Sequence, residues 1–113
     1  MKYLMLGMIT EAGQQLRGAD LESWMAEIGA WYEKHGSSGK LADAGHQLDW
    51  PDKARTVRAS GVTDGPFMEA KEVLGGYSLL ETATIDEAVE ISKTWPGIDR
   101  GWIAIEIRPV MAL

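Results

Sequence analysis

The chain has no cysteine. Disulfides, thiolate nucleophiles and zinc–thiolate sites are therefore excluded, and the absence fits a reducing cytoplasm. Phenylalanine occurs once, proline four times and histidine twice. His35 and His46 show neither a helical nor a strand repeat, so their spacing offers no metal site. Neither a GxGxxG fingerprint nor a Walker loop is present, and no cofactor is expected. Basic residues are scarce: 11 Lys and Arg stand against 17 Asp and Glu, a formal net charge of -6. That balance argues against a sequence-independent nucleic-acid binder, which needs cations to replace phosphate counterions. It argues equally against an anionic membrane surface. Long apolar runs are also lacking. Residues 1–9 are apolar but reach only strand length, far short of the roughly 20 residues of a membrane span. The run ends in Thr10-Glu11 without a signal-cleavage pattern, so it reads as a strand.

What is present is ordinary globular material. The 113 residues are 45% hydrophobic and 25% charged, enough for one domain, residues 1–113, with a real core. The first strand, 2–9, is apolar on both faces: Tyr3, Met5 and Ile9 on one, Leu4, Leu6 and Met8 on the other. Such a strand is central and covered on both sides. Residues 11–18 read as a loop. A helix follows, with Asp20 as its N-cap. Leu21, Trp24, Met25, Ile28, Trp31 and Tyr32 recur at helical spacing, and Gly36 ends it. Its three aromatics suit core packing, or a flat ligand.

A second strand spans 40–48, weakened by Gly45 and carrying His46. Trp50-Pro51-Asp52 breaks it. Short β segments at 54–59 and 62–63 form a hairpin around Ser60-Gly61, with Arg55 and Arg58 on opposite faces. The strand 73–82 carries Gly75-Gly76, the mark of a bulge or a close backbone approach. Thr84 and Glu87 form a capping box for a second helix. Its buried side is Ile85, Ala88, Val89, Ser92 and Trp95, and Pro96-Gly97 ends it. In the last strand, 101–109, Ile103, Ile105 and Ile107 point one way, and Trp102, Ala104, Glu106 and Arg108 the other.

This order is the βαββαβ pattern of an α+β, ferredoxin-like fold with an inserted small hairpin, its two helices on one face of an antiparallel sheet. The opposite face then leaves apolar surface wet, at a cost of about 25 cal/mol per Å². A homodimer joined sheet to sheet, a dimeric α+β barrel, relieves that cost. A pocket is expected between the sheet, the loop after the hairpin and the partner.

That loop is the densest stretch of the chain. Asp64-Gly65-Pro66-Phe67, then Glu69, Lys71-Glu72 and Gly75-Gly76-Tyr77, resemble the DGPF branch of the YCII-related family. The opening Met1-Lys2-Tyr3-Leu4-Met5 and the closing Glu106-Ile107-Arg108-Pro109-Val110 agree, so the resemblance covers nearly the whole chain. It implies a dimeric ferredoxin-like barrel and a bacterial origin, without a settled activity. Families sharing the architecture include small isomerases, a dehydrochlorinase and cofactor-free monooxygenases. Some DGPF genes neighbour or fuse to extracytoplasmic-function sigma factors. One departure matters. The YCII branch carries a His on the first helix and an Asp just before a Pro after the second. Here the first helix has no His before His35 at its end, and Trp95 precedes Pro96. The acid–base chemistry of that pair is not carried over.

The remaining candidates cluster on the loop and its neighbours. Asp64 is either a general base or the cap of its own turn, a common role for Asp. Phe67 anchors the loop into the core or the dimer seam. Glu69, Lys71 and Glu72 either orient a polar ligand or form a solvated charged turn. His46 would make an acid–base pair with Asp64 if the two met; the alternative is a hydrogen-bonded structural residue. Glu106 and Arg108, at i and i+2 on one strand face, and Arg58 are candidates to line the barrel cavity and bind a ligand, Arg108 as an anion anchor; the alternative is that Glu106 and Arg108 pair with each other or Glu106 with Arg58. Two functional classes follow: a small cofactor-independent enzyme acting on an organic molecule in the dimer cavity, or a non-catalytic ligand-sensing or regulatory module with a protein partner such as a sigma factor.

Overall fold

The computed structural model describes residues 1–65 and 71–112. Phe67 and Glu69, two of the candidates, lie outside the described residues. Strand β1 (Lys2–Ile9) leads into a short helix, α1 (Glu11–Gln14), and a long one, α2 (Gly18–Gly36). Strand β2 (Leu41–Gln47), a 3-10 turn at Pro51–Lys53, and the strands β3 (Arg55–Arg58) and β4 (Gly61–Asp64) follow. Strand β5 (Val73–Glu81), helix α3 (Ile85–Ser92) and strand β6 (Ile103–Pro109) complete the chain. The main sheet runs β2-β5-β1-β6, antiparallel throughout, and β3 and β4 pair with each other as a separate ribbon. This is the expected ferredoxin-like α+β arrangement.

The alternation along β1 decides where the core lies. Tyr3, Met5 and Gly7 are buried, whereas Leu4, Leu6 and Met8 are only half-buried. Met5 faces Ser78 on one side and Ile107 on the other, so β5 and β6 present Ser78, Leu80, Ile103, Ile105 and Ile107 to the same layer. Trp24 and Trp31 of α2 and Ala88 of α3 close over it. Trp31 Nε1 donates to Thr94 Oγ1 at 2.8 Å, and Trp24 Nε1 to the Pro96 carbonyl at 2.8 Å. The indole N–H groups are thus satisfied while their rings fill the core. Trp95 follows α3 rather than lying on it, its amide donating to Ser92 O at 3.0 Å.

Several local expectations are corrected. Residues 11–18 are not all loop: Thr10 accepts from the Gly13 amide at 3.2 Å and caps α1. Asp20 is not the cap of α2, which begins two residues earlier at Gly18. Asp20 sits in the first turn, where its charge still suits the helix dipole. The hairpin turns on Ala59-Ser60, because Arg58 pairs with Gly61. Trp102 does not join the outer face of β6. The strand begins at Ile103, and the Trp102 ring turns back onto Trp24, 5.5 Å between centroids. Arg100 covers it at 4.1 Å and pairs with Glu27 of α2.

Two expectations hold at the glycines. The register slips between Gly7 and Met8 because Gly75 is the extra residue of a bulge. Gly45 sits at φ +70°, where an added Cβ would run into the Tyr77 carbonyl. A glycine suits both the left-handed backbone and that close approach.

Candidate functional site

Across the middle of the sheet, on its helix-facing side, four residues stand in a row: Gln47 (β2), Gly76 (β5), Gly7 (β1) and Ile105 (β6). The two central strands therefore contribute no side chain at this level. Helix α2 cannot sink into the gap, because the large rings of Trp24 and Trp95 hold it away, packed edge to face at 6.5 Å. The result is a cavity of about 300 Å³ between sheet and α2, at the small end of the range for ligand pockets. Gly7 and Gly76 contribute to its floor, Met25 and Ile28 of α2 to its roof, and Ile9 and Ile103 to its walls. Among the described residues no Asp, Glu, Lys or Arg lines it.

One polar chain reaches the cavity. Tyr32 Oη and Ser78 Oγ are 2.7 Å apart, and Ser78 Oγ donates to the Ala44 carbonyl at 2.7 Å. Since the Ser78 proton goes to Ala44, the Tyr32 hydroxyl donates to Ser78 and keeps its lone pairs for another donor. Ser78 is fully buried, so this bond is sheltered from water. The indole nitrogen of Trp95 is, among the described residues, the one buried side-chain nitrogen or oxygen without a hydrogen-bond partner.

A second cavity of about 300 Å³ adjoins the first and shares Ile9, Gln47 and Gly75 with it. Leu48, Asp49 and Trp50 form its outer rim. The Asp49 carboxyl group is held below its usual range by Lys53, whose Nζ lies 3.0 and 3.1 Å from its oxygens, and by the Trp50 amide at 2.8 Å.

The residues singled out in the sequence are scattered around this site. His46 borders the cavity, but it pairs with Tyr77, and the two rings, 5.9 Å apart, share the sheet face away from the helices. Asp64 lies at the end of the separate ribbon, exposed, and pairs with Arg55 Nε at 3.1 Å. No hydrogen bond or ion pair joins His46 to Asp64 among the described residues. Arg58 stands at the tip of the same ribbon. Glu106 and Arg108 pair with each other at 3.3 Å on the outer face of β6, away from the helices. Lys71 and Glu72 are exposed, and the Lys71 carbonyl accepts from Gln14 Nε2 at 2.8 Å. The expected pocket between the sheet, the loop and a partner is not the cavity described, which lies on the opposite side of the sheet within one chain. Sequence reasoning missed Tyr32 as a polar group and Gln47 altogether. Their signal was the pairing of Gly7 with Gly76, which no linear spacing reveals.

Among the described residues no group of His, Asp and Glu could hold a metal ion, and no helix is long and apolar enough to cross a membrane.

Comparison with known proteins places this geometry. Residues 1–113 match the YCII-related domain. An uncharacterised protein of Rhizobium meliloti (strain 1021) is 29% identical over 92 residues, covering 79% of this chain and 74% of that one. Among solved structures, 5-chloro-2-hydroxyhydroquinone dehydrochlorinase from Burkholderia phenoliruptrix AC1100, in complex with 2,5-dihydroxybenzoquinone, superposes with a TM-score of 0.54 at 17% identity. The match covers 100% of this chain and 96% of that one. At that identity the likeness concerns the fold alone.

Proposed function

The chain belongs to the YCII-related domain family, and on that footing we propose that it is a small cofactor-independent enzyme that binds a neutral organic molecule between α2 and the sheet. The observation that carries this reading is the uncharged cavity over Gly7 and Gly76. A monomer gains nothing from leaving such a gap, since unfilled core space costs stability. Support also comes from the solved dehydrochlorinase, whose ligand is a small ring compound. Within the family, the Asp64-Gly65-Pro66-Phe67 motif assigns the chain to the DGPF branch. Trp95, where the YCII branch carries an Asp, makes the wall apolar where that branch is acidic. His46, on the edge strand β2, is the group to which we assign proton transfer: its backbone borders the cavity, and its ring, which rests beside Tyr77 on the other sheet face, reaches the ligand by turning over the sheet edge. Asp64, paired with Arg55, serves the ribbon.

The working unit on this reading is a single-domain, cytoplasmic protein in a homodimer. Leu4, Leu6 and Met8 of β1 and Leu74, Tyr77 and Leu79 of β5 share the sheet face away from the helices. A second copy laid on that face buries them and forms the barrel.

The test uses N-phenyl-1-naphthylamine, a neutral fluorophore that brightens in apolar surroundings. Saturable binding of one probe per chain, abolished by Gly7→Leu, is expected. Absence of binding, or binding indifferent to Gly7→Leu, would sink the reading. For the chemistry, deuterium exchange at the acidic C–H of 2-tetralone is followed by NMR. Acceleration by the wild type that His46→Gln removes supports proton transfer; equal acceleration by both proteins rejects it.

One observation favours a regulatory module instead. Val57 and Val62 face each other across the ribbon and are 76% and 64% exposed, an apolar pair that a protein partner such as an extracytoplasmic-function sigma factor would cover. Co-elution of the purified pair, lost with Val57→Lys, supports that reading; separate elution rejects it.

A further inference from the structure

The two cavities meet at one residue that nothing so far has used. Gln47 ends the row Gln47–Gly76–Gly7 on the helix-facing side of the sheet. It lines both the inner cavity and the outer one. Its carboxamide makes no hydrogen bond to any described residue, although it carries two N–H donors and a carbonyl acceptor. Gly76 keeps the strands close there: a Cβ on it would come within 3.5 Å of the Gln47 Cα and 3.0 Å of the His46 carbonyl. The opening between the compartments thus has a glycine on one side and a free amide on the other.

Each compartment has a definite character. The inner one is ring-sized, uncharged and walled by Trp24, Ile28 and Ile103. The outer one has Trp50 on its rim, 49% exposed, and Leu48 and Leu74, 40% and 38% exposed. Asp49, the one acidic group lining it among the described residues, is already held by Lys53. Among the described residues neither compartment therefore offers an unpaired charge to a ligand, and burying a charged ligand without a partner is costly.

We infer that the two cavities are compartments of one site, and that Gln47 selects a neutral ligand made of two flat apolar groups joined by an amide-type link. One group fills the space over Gly7, the other lies against Trp50, and the link exchanges N–H and C=O with the Gln47 side chain. This inference rests on the small-molecule reading above and specifies its ligand class. Gln47 binds and discriminates; it takes no part in proton transfer.

The probes are benzanilide, its near-isostere trans-stilbene, which lacks the amide, and the single-ring acetanilide, each displacing N-phenyl-1-naphthylamine. The wild type is expected to prefer benzanilide over trans-stilbene by several-fold to about 10-fold, the worth of an ordinary hydrogen bond. Gln47→Leu is expected to remove that preference while leaving trans-stilbene within about 2-fold, since an apolar isostere loses only the polar contact. Trp50→Ala is expected to weaken both two-ring probes several-fold through lost stacking and to leave acetanilide unchanged. Equal affinities for benzanilide and trans-stilbene in the wild type would overturn the inference. So would a preference that survives Gln47→Leu, or two-ring binding indifferent to Trp50→Ala. If acetanilide displaces the fluorophore and benzanilide does not, the inference falls and the cavity reading stands. If the fluorophore itself fails to bind, both fall. Both variants change exposed side chains, and unchanged thermal unfolding confirms that the fold is intact.

Discussion

Gly7 of β1 stands directly across from Gly76 of β5, beneath the roof that α2 lays over the sheet. This pair is the physical origin of the cavity. A side chain at either position would occupy the space in which the proposed ligand sits. At Gly7 the contacts are milder: an added Cβ would meet the Ile103 Cδ1, the flexible end of a side chain, at 3.3 Å and the Gly76 carbonyl at an ordinary 3.7 Å. At Gly76 it would press on the His46 carbonyl instead.

Gly7→Leu is therefore expected to fold with unchanged or higher thermal stability while losing ligand. Filling a void restores dispersion contacts and buried area, on the order of 1 kcal/mol. A calorimetric scan reads this directly; a fall in Tm of more than a few degrees would mean that the cavity is not free space.

The Tyr32–Ser78–Ala44 chain makes a second, separable prediction. Ser78→Ala leaves the Ala44 carbonyl and the Tyr32 hydroxyl without their partner, at a cost of about 0.5–1.5 kcal/mol for each part-buried bond. Tyr32→Phe removes one end of the same chain. Because the two share a bond, the double variant is expected to lose less than the sum of the singles. Urea unfolding of the four proteins gives the coupling, and strict additivity would show that the hydroxyls do not act together.

The outer sheet face predicts the assembly. Leu6 lies between Tyr77 and Glu106 at the centre of that face. Leu6→Asp places a carboxylate in the proposed seam, which is costly without a cationic partner. Light scattering is expected to show a wild-type dimer and a monomeric variant. A variant that stays dimeric would place the seam elsewhere.

His35 gives a pH dependence whose sign is fixed by its surroundings. Partial burial against Trp31, 4.3 Å between ring centroids, and then the neighbouring Lys34 lower its pKa below 6.5. The folded chain thus binds fewer protons than the unfolded chain just below pH 6.5. The contribution of His35 is fully present above that pH and is lost as pH falls through the folded value. Urea midpoints are expected to drop between pH 7.5 and pH 5.5, and to drop less in His35→Gln. An equal drop in both proteins would assign the effect to other groups.

Gly45→Ala tests the kink in β2. Alanine at φ +70° is strained, and its methyl would meet the Tyr77 carbonyl. A loss of at least about 2 kcal/mol is expected, measured by chemical unfolding, with Gly29→Ala, in open space within α2, as the benign control.

The alternation in β1 and the isoleucines of β6 determined which sheet face meets the helices, because side chains on a strand alternate with a fixed period of two. Helical spacing placed Trp24 and Trp31 in the core, and Thr84 caps α3, accepting from the Glu87 amide at 3.2 Å. The expected reciprocal bond is not made, since the Glu87 carboxylate pairs with Lys40 instead, at 3.1 Å. Trp102 was misplaced by the same rule that worked for the isoleucines, because alternation holds only where a strand has begun. The site was far less legible. That Gly7 and Gly76 face each other depends on a register set across 69 positions of chain, with Gly75 bulged out beside them. Tyr32, Ser78 and Ala44 come from a helix and two strands, and Gln47 looks like any polar edge residue until the glycines beside it leave a gap. Local periodicity and turn chemistry are properties of neighbours in sequence, so the elements and their buried sides are legible in the chain alone. The cavity is an empty volume bounded by residues far apart in the chain, so its place and the polar groups that reach it follow from the register and packing of the folded sheet and helix.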